Sequence, residues 1–160
     1  MIKNTFTDAP PKTKKRAIVL GATADIGHDI SHRLIADGWS VIGIGRSFER
    51  ISDLMAEPNF QFIFCNLVDK ANINEAIANA SRLGEGWSLF VSSAGTMLPI
   101  GRFFQQDFDE WESSVLVNSM AQLRVLHGLW PHRQKETLVN IMLMAGGGTN
   151  SAFNLSLIHI

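Results

Sequence analysis

The loop Gly21-Ala22-Thr23-Ala24-Asp25-Ile26-Gly27 is the first candidate for a binding site. It follows a short apolar run, Ala17 to Leu20, and opens Ile26 to Ala36, where Ile26, Ile30, Leu34 and Ile35 recur at helical spacing. A glycine loop at the start of a helix turns backbone N–H groups and the positive end of the helix dipole outward, an arrangement that can hold a pyrophosphate. Spacing alone leaves a second reading open, in which Gly21 and Gly27 serve a tight turn and close helix packing. Arg46 follows about 20 residues after the loop, where a βαβ nucleotide unit carries an acidic residue for a ribose hydroxyl or an arginine for a 2′-phosphate. A guanidinium beside Ser47 favours the phosphate. The loop has no Lys-Ser or Lys-Thr ending, which argues against a P-loop NTPase.

Other polar groups carry weaker signals. His28 and His32 are four apart on the first helix, a spacing that can bind a metal, but Asp29 points elsewhere around the helix and no third ligand stands out. They are read as surface histidines, and no metal is expected. Asn118 lies among apolar neighbours in Val115-Leu116-Val117-Asn118-Ser119, where a satisfied core amide or a helix kink would explain it. Trp39, Trp87, Trp111 and Trp130 are scattered and read as packing residues, with no aromatic stripe for stacking bases.

These groups need elements to position them. Gly38 ends the first helix, Ser40 to Ile44 forms a second strand, and the βαβ unit is long enough for a right-handed crossover between parallel strands. The pattern continues with a helix from Phe48 to Met55, a strand at Gln61 to Cys65, a helix from Lys70 to Leu83 and a strand at Ser88 to Val91. A long helix from Asp107 to Trp130, stopped by Pro131, precedes a fifth strand at Thr137 to Met144. Each strand reads as a short continuous apolar run, as strands covered by helices on both faces do. The expected fold is α/β, a Rossmann-type doubly wound parallel sheet of order 3-2-1-4-5, with a ligand crevice beyond the strands' carboxyl ends.

The motifs at those ends resemble the short-chain dehydrogenase/reductase family. Gly21 and Gly27 match the first and last glycines of its Gly-x-x-x-Gly-x-Gly loop, with Asp25 at the middle glycine. A carboxylate there would repel phosphates unless it turns outward or caps the helix. Gly45-Arg46-Ser47 resembles an NADP-type site, Gly45 standing where NAD-using members tend to carry an aspartate. Asn66 and Leu67, in Cys65-Asn66-Leu67-Val68-Asp69, resemble the family's adenine-side segment, which usually has aspartate at the Asn66 position. Ser92-Ser93-Ala94-Gly95 resembles its Asn-Asn-Ala-Gly, so Ser93, Ala94 and Gly95 are expected against the cofactor. Asn118 resembles the asparagine that helps hold a proton-relay water, which makes it the one catalytic candidate.

The resemblance covers about Arg16 to Phe153 and implies NADP, rather than NAD, as cofactor. It also implies hydride transfer to or from a carbonyl or alcohol carbon of a small molecule. The family's general acid or base is a tyrosine, helped by a lysine four residues later and by a serine. This chain has no tyrosine. The serine position falls on Leu143 if Val139-Asn140-Ile141 sets the register, or on Ala145 if Gly146-Gly147-Gly148 does; neither Ser151 nor Ser156 is selected in its place. The last letters of Asn154 to Ile160 resemble translated sequencing-library adapter, so a truncated, inactive copy of a longer oxidoreductase is expected. The alternative is a non-catalytic Rossmann nucleotide-binding or sensor protein.

With 160 residues and 46% hydrophobic content, one domain over residues 16–160 is expected, preceded by a basic arm at 1–15 with Pro10, Pro11, Lys12, Lys14 and Lys15. The net charge of −1 gives no field for nucleic acid. No run reaches the roughly 18 apolar residues of a membrane span. A single cysteine, Cys65, fits a reducing compartment, and a soluble cytoplasmic protein is expected. The helix around Trp111 to Trp130 resembles the family's oligomer-forming helix, which implies a homodimer or homotetramer for the parent. Val139, Ile141 and Leu143 are expected to border an unpaired apolar edge.

Overall fold

The computed structural model describes residues 15–84, 86–135 and 137–144. Residues 1–14 of the N-terminal arm, Ala145, Gly146 to Gly148, Ser151, Ser156 and the adapter-like end lie outside them. The elements run β1 (Arg16–Leu20), α1 (Asp25–Ala36), β2 (Ser40–Gly45), β3 (Phe60–Phe64), α2 (Lys70–Arg82), β4 (Leu89–Ser92), α3 (Phe108–Val115), α4 (Ala121–Leu129) and β5 (Asn140–Leu143). The strands form one parallel sheet of order β3-β2-β1-β4-β5. That is the expected doubly wound topology, and its direction reverses between β1 and β4, where such folds open a crevice.

Alternation along β1 sorts its side chains between two cores. Ala17 and Val19 pack with Val41, Ile51, Leu54 and Phe60, under Ile30, Leu34 and Ile35 of α1. Ile18 and Leu20 face the opposite layer, built from Ile73, Ala76 and Ala80 of α2 and Ala121, Val125 and Leu129 of α4. Trp87 is buried there, with its indole N–H donating to the Leu129 carbonyl at 2.9 Å. Trp130 is partly exposed instead, with the Arg133 guanidinium 4.2 Å from its ring centre.

Two helices differ from expectation. Phe48 to Met55 is not one α-helix but two 3₁₀ turns, Glu49–Ile51 and Leu54–Ala56. Only Ile51 and Leu54 reach the core from these turns, and their spacing of three suits the tighter coil. The long helix is interrupted by a π turn at Leu116–Met120, and after Leu129 it tightens into a 3₁₀ turn, Trp130–His132. Pro131 sits in the first turn of that coil, where its missing N–H costs little.

The strand β5 is shorter than expected and forms the sheet's edge, with Ile141, Met142 and Leu143 exposed. Among the described residues no further strand pairs with β5, and of the apolar residues expected along it Val139 packs partly against the core. Among the described residues, no helix is long and apolar enough to cross a membrane.

Candidate functional site

The carboxyl ends of β1, β2, β3 and β4 surround a crevice lined by Gly21, Thr23, Ala24, Gly45, Arg46, Cys65, Asn66, Leu67, Ala94, Gly95 and Val117. The turn that builds its floor depends on Gly21, whose φ of +89° an L side chain rarely adopts. Gly21 and Ala22 donate their N–H groups to the Ile44 carbonyl at 2.8 and 3.2 Å, tying the loop to β2. Ala24 N–H donates back to the Gly21 carbonyl at 2.9 Å.

Helix α1 then starts without a side-chain cap, because Ala24 occupies that position. In α2 and α3, by contrast, Asp69 and Asp107 accept first-turn N–H bonds. Among the described residues no side chain caps the N–H groups opening α1, which are thus available to an outside acceptor. Gly27 keeps the cradle tight: a Cβ there would stand 2.5 Å from Ser93 Oγ and still closer to the Gly21 carbonyl oxygen. The Asp25 carboxylate does not obstruct this. It turns outward, 94% exposed, with Oδ1 3.6 Å from an Arg50 guanidinium nitrogen. Ala22 is buried beneath the loop, and Ile26 is exposed at its rim.

The opposite wall follows β2 and β3. Gly45 lacks a side chain where a Cβ would meet Thr23 Cγ2 at 2.6 Å. Arg46 is exposed next to it, and its side chain makes no hydrogen bond or ion pair among the described residues. Ser47 is half-buried beside it. Asn66 uses its Oδ1 to accept from Val68 N–H at 3.3 Å, while Leu67 is buried. Burial, with a smaller contribution from the Asp69 charge, pushes the Cys65 thiol up to about 11, so this crevice cysteine stays protonated.

At the end of β4 the small residues serve as a junction. Ser93 Oγ donates to the Leu20 carbonyl at 3.1 Å, joining β4 to the glycine loop. Asn118 donates to the Thr96 carbonyl at 2.8 Å and accepts from Thr96 N–H at 2.8 Å. It also reaches Ser114 Oγ at 3.2 Å, so its amide is a satisfied clasp between the π turn and the loop after β4. Gln122 was not legible as a site residue. It is buried, accepts from Ser92 Oγ at 2.7 Å, and donates to the Ala94 carbonyl at 2.7 Å and the Val117 carbonyl at 3.1 Å. Its signal, one glutamine one turn beyond Asn118, acquires meaning only once β4 lies alongside.

Comparison with known proteins matches this framework. Residues 15–155 match the family model described as short chain dehydrogenase. This chain belongs to the short-chain dehydrogenase family. A serine 3-dehydrogenase of Agrobacterium fabrum is 30% identical over 132 residues, which are 80% of this chain and 53% of that protein. The crystal structure of an Escherichia coli serine dehydrogenase superposes with a TM-score of 0.69 at 25% identity, over 80% of this chain and 60% of the other. A closed form of serine dehydrogenase complexed with NADP+ gives a TM-score of 0.71 at 25% identity, over 80% and 52% respectively. The chain thus spans little more than half the length of the curated relatives it matches. The glycine cradle and the uncapped helix give the crevice the donors that a dinucleotide's phosphates need.

One side-chain cluster of this short-chain dehydrogenase chain lies outside the crevice. His28 Nε2 and His32 Nε2 both point at Asp53, at 3.0 Å from Oδ1 and 2.7 Å from Oδ2. The third group missing from the sequence reading is therefore Asp53, supplied by the turn after β2. The two imidazoles hold its carboxyl far below the usual carboxylate range.

Proposed function

We propose that this chain is the nucleotide-binding part of an NADP-dependent short-chain dehydrogenase/reductase. The whole protein transfers a hydride between NADP(H) and a carbonyl or alcohol carbon of a small molecule. The observation that carries the cofactor choice is Arg46: it follows β2 at the crevice rim, exposed and without a competing partner among the described residues, beside a Gly45 that offers no carboxylate. The similar serine dehydrogenase complexed with NADP+ supports the same choice. The nicotinamide supplies the hydride chemistry when bound.

The chain's own residues bind and orient. The first-turn amides of α1 take the pyrophosphate, Arg46 with Ser47 the 2′-phosphate, and Asn66 with Leu67 the adenine side. Ser93, Ala94 and Gly95 let the nucleotide approach the sheet. Asn118, with its amide committed to Thr96 and Ser114, acts as a positioning residue for this wall. With no tyrosine in its 160 residues, the chain binds nucleotide without turning over substrate. We place the parent in the cytoplasm, and its association as a dimer or tetramer is supported by exposed Phe108, Met120 and Trp130 along the α3–α4 segment.

Calorimetric titration with NADPH and NADH tests the cofactor. NADPH is expected to bind more tightly, and Arg46→Ala to remove about 10- to 100-fold of affinity for NADPH alone, the value of a charge-assisted contact. A preference for NADH refutes the role of Arg46, and binding of neither refutes the nucleotide site. The missing tyrosine and apolar Leu143 favour a second reading, a non-catalytic nucleotide sensor. Sequencing the source DNA beyond the Phe153 codon separates the two: a continuing frame with Tyr-x-x-x-Lys supports the reductase, and a stop after Ile160 the sensor.

A further inference from the structure

We propose that His28, His32 and Asp53 form a binding site for one late divalent transition-metal ion of the zinc type, stapling α1 to the turns that follow β2. Residues four apart on a helix share a face, so His28 and His32 stand one above the other, their ring centres 4.7 Å apart. Both present the same nitrogen, Nε2, to the two oxygens of a single carboxylate at 3.0 and 2.7 Å. One ligand atom from each of the three residues lies within 4.8 Å of the others. A tetrahedral zinc with bonds of about 2.0–2.1 Å requires ligand edges of about 3.3 Å, so the widest pair closes by at most about 1.5 Å, a small side-chain rotation.

The backbone under each ligand is already fixed. Asp53 opens the second 3₁₀ turn between Ile51 and Leu54, both fully buried, so its carboxylate stands on a segment anchored on both sides. Helix α1 is held by the close approach of Gly27 to the glycine loop and by fully buried Ser31, whose hydroxyl donates to the Gly27 carbonyl at 2.8 Å. The three side chains are 26%, 40% and 52% exposed, so an ion reaches them directly from solvent. Two imidazoles and a carboxylate select a late transition ion over magnesium or calcium, which take oxygen ligands, and three protein donors leave a fourth position for water. Hydrogen bonds alone account for the metal-free geometry, since each ring can donate Nε2–H to the carboxylate; a bound ion takes the place of those two protons.

The test uses the untagged, chelator-stripped full chain, titrated with Zn²⁺ against a chromophoric competitor and with Co²⁺ followed by visible absorption. One equivalent is expected to bind, with the intense d–d bands of a four- or five-coordinate site, and Zn²⁺ should raise the melting temperature. Asp53→Asn and His32→Ala should each weaken binding by about tenfold or more and abolish the thermal shift, because losing even an outer partner of a ligand costs 10- to 100-fold. His127→Ala should change neither. Asp53→Asn preserves shape, so its loss of binding in a chain that still melts cooperatively cannot be put down to unfolding. Absence of saturable binding overturns the proposal, as does one-equivalent binding that survives both Asp53→Asn and the His28→Ala/His32→Ala pair.

Discussion

Replacing Gly27 with alanine probes the nucleotide cradle and the fold through one added methyl. That methyl would lie 2.5 Å from Ser93 Oγ and 2.8 Å from the Gly21 carbonyl carbon, where ordinary contact begins at 3.4 Å. The gap to be opened is therefore about 1 Å, between the start of α1 and the loop from β1, and the nearest obstruction is rigid backbone. Overpacking of this kind costs about 1–3 kcal/mol, while alanine in a helix recovers up to about 1 kcal/mol over glycine. Because the obstruction is backbone, the upper part of that cost applies and the net loss is about 1–2 kcal/mol, read as a lower urea midpoint at unchanged slope. Moving the first-turn amides by that distance should also cost one charge-assisted hydrogen bond, making NADPH binding about 10- to 100-fold weaker by calorimetry. Ser93→Ala added to Gly27→Ala removes the hydroxyl but leaves the Gly21 carbonyl, so it should recover only part of each loss. A Gly27→Ala chain matching the parent in both midpoint and NADPH affinity would refute the close packing and the amide cradle together.

Ser92→Ala strips the buried Gln122 Oε1 of the hydroxyl that donates to it, and should cost about 1–3 kcal/mol in a denaturant titration. Asp69→Ala removes acceptance from Ala71 and Asn72 N–H, which should cost about 1 kcal/mol and lower the melting temperature by about 2–4 °C; Asp69→Asn should retain most of it. Cys65 should make the protein less stable as pH rises from 9.0 toward about 11, because the unfolded thiol gives up its proton there while the folded thiol keeps it. The whole effect is roughly 2–3 kcal/mol, and Cys65→Ala should flatten that part of the pH profile of urea midpoints.

The order of the sheet was legible because β1 to β4 are short apolar runs separated by glycine turns and amphipathic helices, and parallel pairing follows from the crossover length. The glycine loop was legible by position, and Asp25 left two options that the outward turn toward Arg50 decides. What escaped detection depends on partners distant in the chain. Asp53 sits 21 and 25 residues from the histidines it meets, and Gln122 sits 30 from Ser92. Nothing local marks either as a partner. The 3₁₀ turns escaped for another reason: apolar residues at i and i+3 fit both coils, and burial of only Ile51 and Leu54 decides between them.

The π turn shows how such non-local contacts reshape a locally strong helix. Ser114, Asn118 and Gln122 are spaced by four, and on a regular α-helix each step of four overshoots the face by about 40°. A stretch of i→i+5 bonding, seen where Ala121 N–H donates to the Leu116 carbonyl, takes up an extra residue and cancels part of that drift. Asn118 and Gln122 thereby both reach the chain leaving β4. The distances also match: four helical residues rise about 6 Å, close to the 7 Å or so that two residues of extended chain can span. Asn118 accordingly meets Thr96, and Gln122 meets Ala94 two residues earlier. The π turn is held by these side-chain bonds, and they fix Ala94 and Gly95 in the crevice wall. The Asn118 amide thus acts on the crevice through the backbone it immobilises.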